Sequence, residues 1–300
     1  MGQIRSMARA VPLALLTAVV AVSFAAIFFR QAQPTHPLVA AGLRLAFACA
    51  MLAVPAARSI VRRRPGKRLV GHAVAAGVLY AVHFGAWVAS LGMTTVAASV
   101  TLVTTTPLLL AATGLIVGRD RPTRGLWVAL LGAAVGVLLI GSVDFGAGAH
   151  ALMGEGLALL GAAAIAAYLA LARRVGAAMN LWLFTCIATG VGALALLTTA
   201  AASGIAIRAA SGEALMYLLL AAAVPQLIGH TLLTWALRHT TPSVVAMAVV
   251  GEPVGATMLA WVWLGETIGP IVVVGCAITL GSILLAIRTR PETMVEPEAA

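Results

Sequence analysis

Apolar residues run along this chain in long unbroken blocks, separated by short polar or basic breaks, without the alternation of half-buried strands. Ten blocks approach or exceed the roughly 20 residues a helix needs to cross a bilayer. They cover 11–29, 36–57, 70–91, 95–117, 124–142, 153–172, 180–202, 213–236, 242–264 and 268–287. The breaks between them are too short to form a soluble domain. The first block follows Arg5 and Arg9 as a secretory signal would. Its apolar stretch is longer than the roughly 7–15 residues of a signal core, which predicts a retained helix.

Composition agrees with this pattern. Lys and Arg number 19 and Asp and Glu 9, so 9% of the 300 residues are charged while 62% are hydrophobic. A soluble domain carries roughly a quarter charged residues, and its core could not hide this much apolar area from water. A soluble enzyme, a secreted disulfide scaffold and a disordered chain are excluded. The expectation is an all-α membrane protein of ten transmembrane helices. A net charge of +10 would suggest nucleic acid if it formed one stripe. Here it falls in clusters between apolar blocks, so no nucleic-acid partner is expected. Cys49, Cys186 and Cys276 lie far apart inside apolar blocks, without metal-ligand spacing.

Basic residues also orient the chain. With a cytoplasmic N-terminus, that side receives Arg5, Arg9, Arg58, Arg62, Arg63, Arg64, Lys67, Arg68, Arg119, Arg121, Arg124, Arg173, Arg174, Arg238, Arg288 and Arg290. The opposite side keeps Arg30 and Arg208, and Arg44 lies inside the second block. The positive-inside rule then places both termini in the cytoplasm.

The two halves of the sequence repeat. Leu91-Gly92-Met93-Thr94-Thr95 matches Leu237-Arg238-His239-Thr240-Thr241, Thr106-Pro107 falls on Glu252-Pro253, and Gly118-Arg119-Asp120 falls on Leu264-Gly265-Glu266. Tyr80 aligns with Gln226. Five helices per unit is an odd number, so the second unit enters the membrane inverted, a plan shared by many secondary transporters. The units are expected at 11–142 and 153–287, followed by a cytoplasmic tail at 288–300.

Pro37-Leu38-Val39-Ala40-Ala41-Gly42-Leu43-Arg44 resembles the second-helix signature of the EamA-type drug/metabolite transporter superfamily. Glu252-Pro253-Val254, with Leu259-Ala260-Trp261 and Leu264-Gly265-Glu266, resembles its ninth-helix signature. The resemblance spans about residues 11–287 and implies a ten-helix basket with a central cavity between the halves, moving small metabolites. Within the superfamily, the short loops and aromatic third helix are similar to YddG-type aromatic amino-acid exporters.

Polar side chains inside the bilayer are costly unless they face a partner or a watery cavity. The third helix sets Tyr80, His83, Phe84 and Trp87 at i, i+3, i+4 and i+7, on one face. Such a stripe also serves as packing filler, but phenol, imidazole and indole each need a hydrogen-bond partner, which favours a substrate path. The eighth helix sets Gln226, His230 and Thr234 on one face, after a Pro225 that invites a kink. Tyr168 in the sixth helix and Phe24 and Phe28 in the first are further candidates. Glu252 lies ten residues past Pro242, about 15 Å along a helix, hence near the midplane. Its two readings are a charge site and a helix-bonding or hinge residue beside Pro253, and the second is favoured. Pro107 is the matching break in the fourth helix. Arg44 has two readings, an architectural one, snorkelling or bonding neighbouring carbonyls, and anion recognition, and the first is favoured. Gly132 and Gly136 suit helix packing within the fold or in a dimer.

No Walker sequence, HExxH or GxSxG is present, and Gly146-Ala147-Gly148 follows a helix rather than a strand. No enzyme activity, cofactor or metal is expected. The expectation is an inner-membrane secondary transporter that exports aromatic or hydrophobic amino acids by alternating access, as a monomer in contact with lipid. The alternatives are a multidrug cation/proton antiporter and a sugar-phosphate or nucleotide-sugar carrier. The first helix lacks the acid that small multidrug-resistance relatives carry there. No basic side chain lies deep in helices seven to ten, where the carrier would want one.

Overall fold

A computed structural model describes residues 2–62, 64–94, 96–106, 109, 123–142, 148–265 and 267–288. Pro107 lies outside the described residues, as do Thr95, Gly118, Arg119, Asp120 and Glu266 of the repeat alignment. The described elements are helical: α1 Gly2–Gln31, α2 Pro37–Arg62, α3 Lys67–Ser90, α4 Val96–Val103, α5 Arg124–Ser142 and α6 Ala149–Val175. They continue as α7 Leu181–Ala202, α8 Gly212–Ala236, α9 Pro242–Val249, α10 Glu252–Leu259 and α11 Pro270–Arg288. Among the described residues, eight helical segments are long and apolar enough to cross a membrane, with a shorter apolar helix at Pro270–Ala286. The block at 95–117 is described as regular helix over Val96–Val103 only.

Local chemistry sets the helix ends. Asn180 caps α7 by accepting the Trp182 amide at 3.0 Å, and Ser211 caps α8 by accepting that of Ala214. Pro242 opens α9, where its missing N–H costs nothing. The span that follows is not continuous: the helix breaks at Val250–Gly251 and restarts at Glu252–Pro253, because Pro253 cannot donate to the preceding turn. The kink expected at Pro225 takes another form. Residues Ala222–His230 widen into a π-helical stretch, which accommodates the missing donor and rotates the following side chains.

Packing pairs the helices across the two halves. α2 lies along α7, α5 along α11, α3 along α6 and α1 along α8, while α4 meets α6 as α10 meets α1. Exchanging the halves turns the α2–α7 and α5–α11 contacts into themselves and interchanges the others, as a pseudo-two-fold repeat requires. The outer faces carry exposed apolar side chains such as Leu13, Leu194 and Val262, which in a bilayer meet lipid rather than water.

Small residues bring the paired helices together. The Gly132 and Gly136 pair packs within the fold: a Cβ on Gly136 would lie 2.7 Å from the Thr279 nitrogen and 2.8 Å from the Gly275 carbonyl oxygen of α11. Gly136→Leu therefore cannot be absorbed by rotamer changes. It is expected to cost at least about 1–3 kcal/mol, measured as a fall in thermal unfolding midpoint in detergent. Unfolding at the wild-type temperature would contradict this α5–α11 contact.

Candidate functional site

Seven residues expected to line a substrate path come together at one place. Tyr80, His83, Phe84 and Trp87 of α3 face Tyr168 of α6 and Gln226 and His230 of α8. The Tyr80 and Tyr168 rings stack with centroids 3.9 Å apart and planes inclined by 18°. His230 stands edge-on to Phe84 at 5.4 Å and to Tyr80 at 6.0 Å. Trp87 lies nearly parallel to His83 at 6.2 Å. Each half of the chain supplies part of the cluster, so movement of one half against the other would open or close it.

The polar groups divide into those that are satisfied and those that are not. The Gly161 carbonyl can only accept, so His83 donates to it from Nδ1 at 2.9 Å, leaving Nε2 as the acceptor of a neutral ring. The Tyr168 hydroxyl and Thr234 Oγ1 lie 3.2 Å apart, and Thr234 also donates to the His230 carbonyl. The Tyr80 hydroxyl lies beside Tyr168 and Gln226. By contrast, the Trp87 indole N–H is buried without a hydrogen-bond partner among the described residues. Groups of this kind are rare in native interiors and call for an explanation.

At the centre of the cluster lies Arg44, which corrects the expectation of a snorkelling side chain. It is fully buried. Its Nη2 donates to Gln226 Oε1 at 3.0 Å, and its guanidinium carbon sits 4.2 Å from the Phe84 ring centre and 5.4 Å from that of Phe29. A cation over an aromatic face is worth about 2 kcal/mol when desolvated, which makes this ring cluster a tolerable place for a buried charge. Arg44 starts two turns into α2, and the widened stretch of α8 carries Gln226 to meet it.

Glu252 begins α10 just past the break. Its backbone carbonyl accepts from Ser23 at 3.4 Å, but among the described residues its carboxylate has no hydrogen bond and no ion pair. Pro253 is buried. Phe24 and Phe28 lie elsewhere, stacked on each other and edge-on to Trp263, with Phe28 also against Tyr217.

Arg44, Phe29 and Phe184 join the cluster without having been expected there; Phe184 packs on Tyr168 at 5.9 Å and Phe29 edge-on to Trp87 at 5.7 Å. The signal for Arg44 was present, since an ionisable side chain inside a span is a functional candidate by default. Phe29 and Phe184 sit in uniformly apolar runs that offer no such cue. A space of about 300 Å³ opens between the connections at 64–66 and 177–180.

Among the described residues, eight long apolar helices, paired across two repeats and burying a polar aromatic cluster, point to a multi-pass membrane protein. The EamA-like transporter family model matches residues 9–142 and again 152–288. The chain belongs to that family, and so to the transporters of small molecules. A solved crystal structure superimposes with a TM-score of 0.75, covering 93% of this chain and 96% of its own. At 17% sequence identity that likeness shows the fold. No curated protein matches the sequence.

Proposed function

We propose that this chain is an inner-membrane secondary transporter that exports aromatic or hydrophobic amino acids by alternating access, acting as a monomer. The observation that carries this reading is the ring cluster, which draws its members from both halves and mixes apolar faces with buried hydrogen-bonding groups. Apolar walls with a few fixed polar groups are what small-molecule sites require. In this reading the units 11–142 and 153–287 are inverted repeats that rock against each other, and the breaks at Pro225 and Gly251 absorb the motion. The resemblance to YddG-type exporters belongs to the same reading. A multidrug cation/proton antiporter is the second reading, favoured by the Glu252 carboxylate, which has no ion pair among the described residues.

Orientation is tested first. In a variant without the native cysteines, a cysteine at Gly66 should be protected from an impermeant thiol reagent in intact cells, and one at Gly148 should be labelled. Both positions are exposed. The reverse pattern would overturn cytoplasmic termini. Substrate class is tested by competition in proteoliposomes, with and without a pH gradient. Aromatic and branched amino acids should compete, and polar ones should not. Competition by organic cations alone would favour the antiporter.

A further inference from the structure

The ring cluster is rich in donors and poor in acceptors. Among the described residues, the fully buried Arg44 has no partner for Nε and Nη1, and Trp87 Nε1 of the same cluster has none either. Among the described residues, the acceptor on the guanidinium is the neutral amide oxygen of Gln226, at 3.0 Å. Burying a cation against a neutral amide, with no ion pair among those residues, is an expensive arrangement for packing alone. A ligand with an anionic acceptor group would satisfy several of these donors together.

We propose that Arg44 is the anchor for a substrate carboxylate. Resting on the transport reading above, this assigns the head group of the substrate, whereas the rings receive its side chain. Gln226 occupies Nη2 when the cluster is closed, and the carboxylate takes the donors that Gln226 leaves unused. The guanidinium stays charged throughout and presents its donors in a rigid plane suited to two carboxylate oxygens. Phe84 and Phe29 hold that plane in place from the ring side.

The test uses the purified full-length chain and matched ligand pairs: 3-phenylpropionate against phenethylamine, and butyrate against butylamine. Binding is read by titration calorimetry, with the thermal unfolding midpoint as a check on folding. Both carboxylates should bind at least about tenfold more tightly than their amines. Arg44→Lys, which keeps the charge and loses the planar fork, should weaken carboxylate binding by about 10- to 100-fold, the range of a hydrogen bond to a charged group. Amines that bind as well as carboxylates, or carboxylates that do not bind at all, would overturn the assignment. If Arg44→Lys fails to fold, the wild-type pairs decide alone. The aromatic reading fails separately: butyrate binding as tightly as 3-phenylpropionate would remove the role of the rings and leave the carboxylate anchor standing.

Discussion

Gln226→Ala is expected to destabilise the protein by about 1.5–3 kcal/mol, the worth of a hydrogen bond to a buried charged group, and to lower transport at least tenfold. The reason is specific. Gln226 supplies a hydrogen-bond acceptor to a fully buried guanidinium, with Oε1 3.0 Å from Nη2 of Arg44. Among the described residues, alanine leaves that cation with aromatic faces alone. Gln226→Glu should behave oppositely in one respect: the new carboxylate pairs with Arg44, so thermal stability should equal or exceed that of the wild type. Transport should still be lost, because the anchor is then neutralised from within. Thermal unfolding and proteoliposome uptake of both variants separate the two effects. If the alanine variant unfolded and transported like the wild type, the Arg44–Gln226 contact would have neither role.

The second large effect concerns Glu252. A carboxylate that held a neighbouring helix would have a partner there, and among the described residues this one has none. What it has is a place at the start of α10, just past the break in the span. Glu252→Gln keeps the shape and removes the charge. It is expected to unfold at the wild-type temperature while uptake of amine-bearing substrates falls at least tenfold, about 1.4 kcal/mol of lost binding. Uptake of 3-phenylpropionate should be less affected. A glutamine variant that transports amino acids normally would return Glu252 to the hinge role that its neighbour Pro253 suggests.

Much of this architecture is legible in the sequence because hydrophobic block length is a strong one-dimensional signal. The α3 face is legible for the same reason: spacing of three and four residues fixes which side chains share a side. The rest depends on three dimensions. Pro225 announces a disturbance in α8, but whether it kinks the helix or widens it is settled by packing against α1 and α2. Arg44 was read as a snorkelling residue because its depth in α2 suggested a route to the interface. What that depth does not reveal is that Phe84, Phe29 and Gln226 meet around it. Phe24 and Phe28 show the converse, since their spacing matches the α3 stripe while their partners are Trp263 and Tyr217. The matched repeat of Tyr80 and Gln226 is informative because the two side chains end up in the same cluster.

The central claim is that an aromatic amino acid passes through the ring cluster between the halves. Counterflow addresses it most directly: proteoliposomes preloaded with unlabelled phenylalanine are diluted into a trace of labelled phenylalanine, with wild-type protein and with Trp87→Ala. Trp87 is buried against Phe29, Phe84 and His83, so the variant is compared at a temperature where its unfolding curve shows it folded. The account predicts a transient overshoot of labelled phenylalanine with the wild type and at least a tenfold smaller one with the variant. Equal overshoots, or none with the wild type while a polar amino acid gives one, would contradict it.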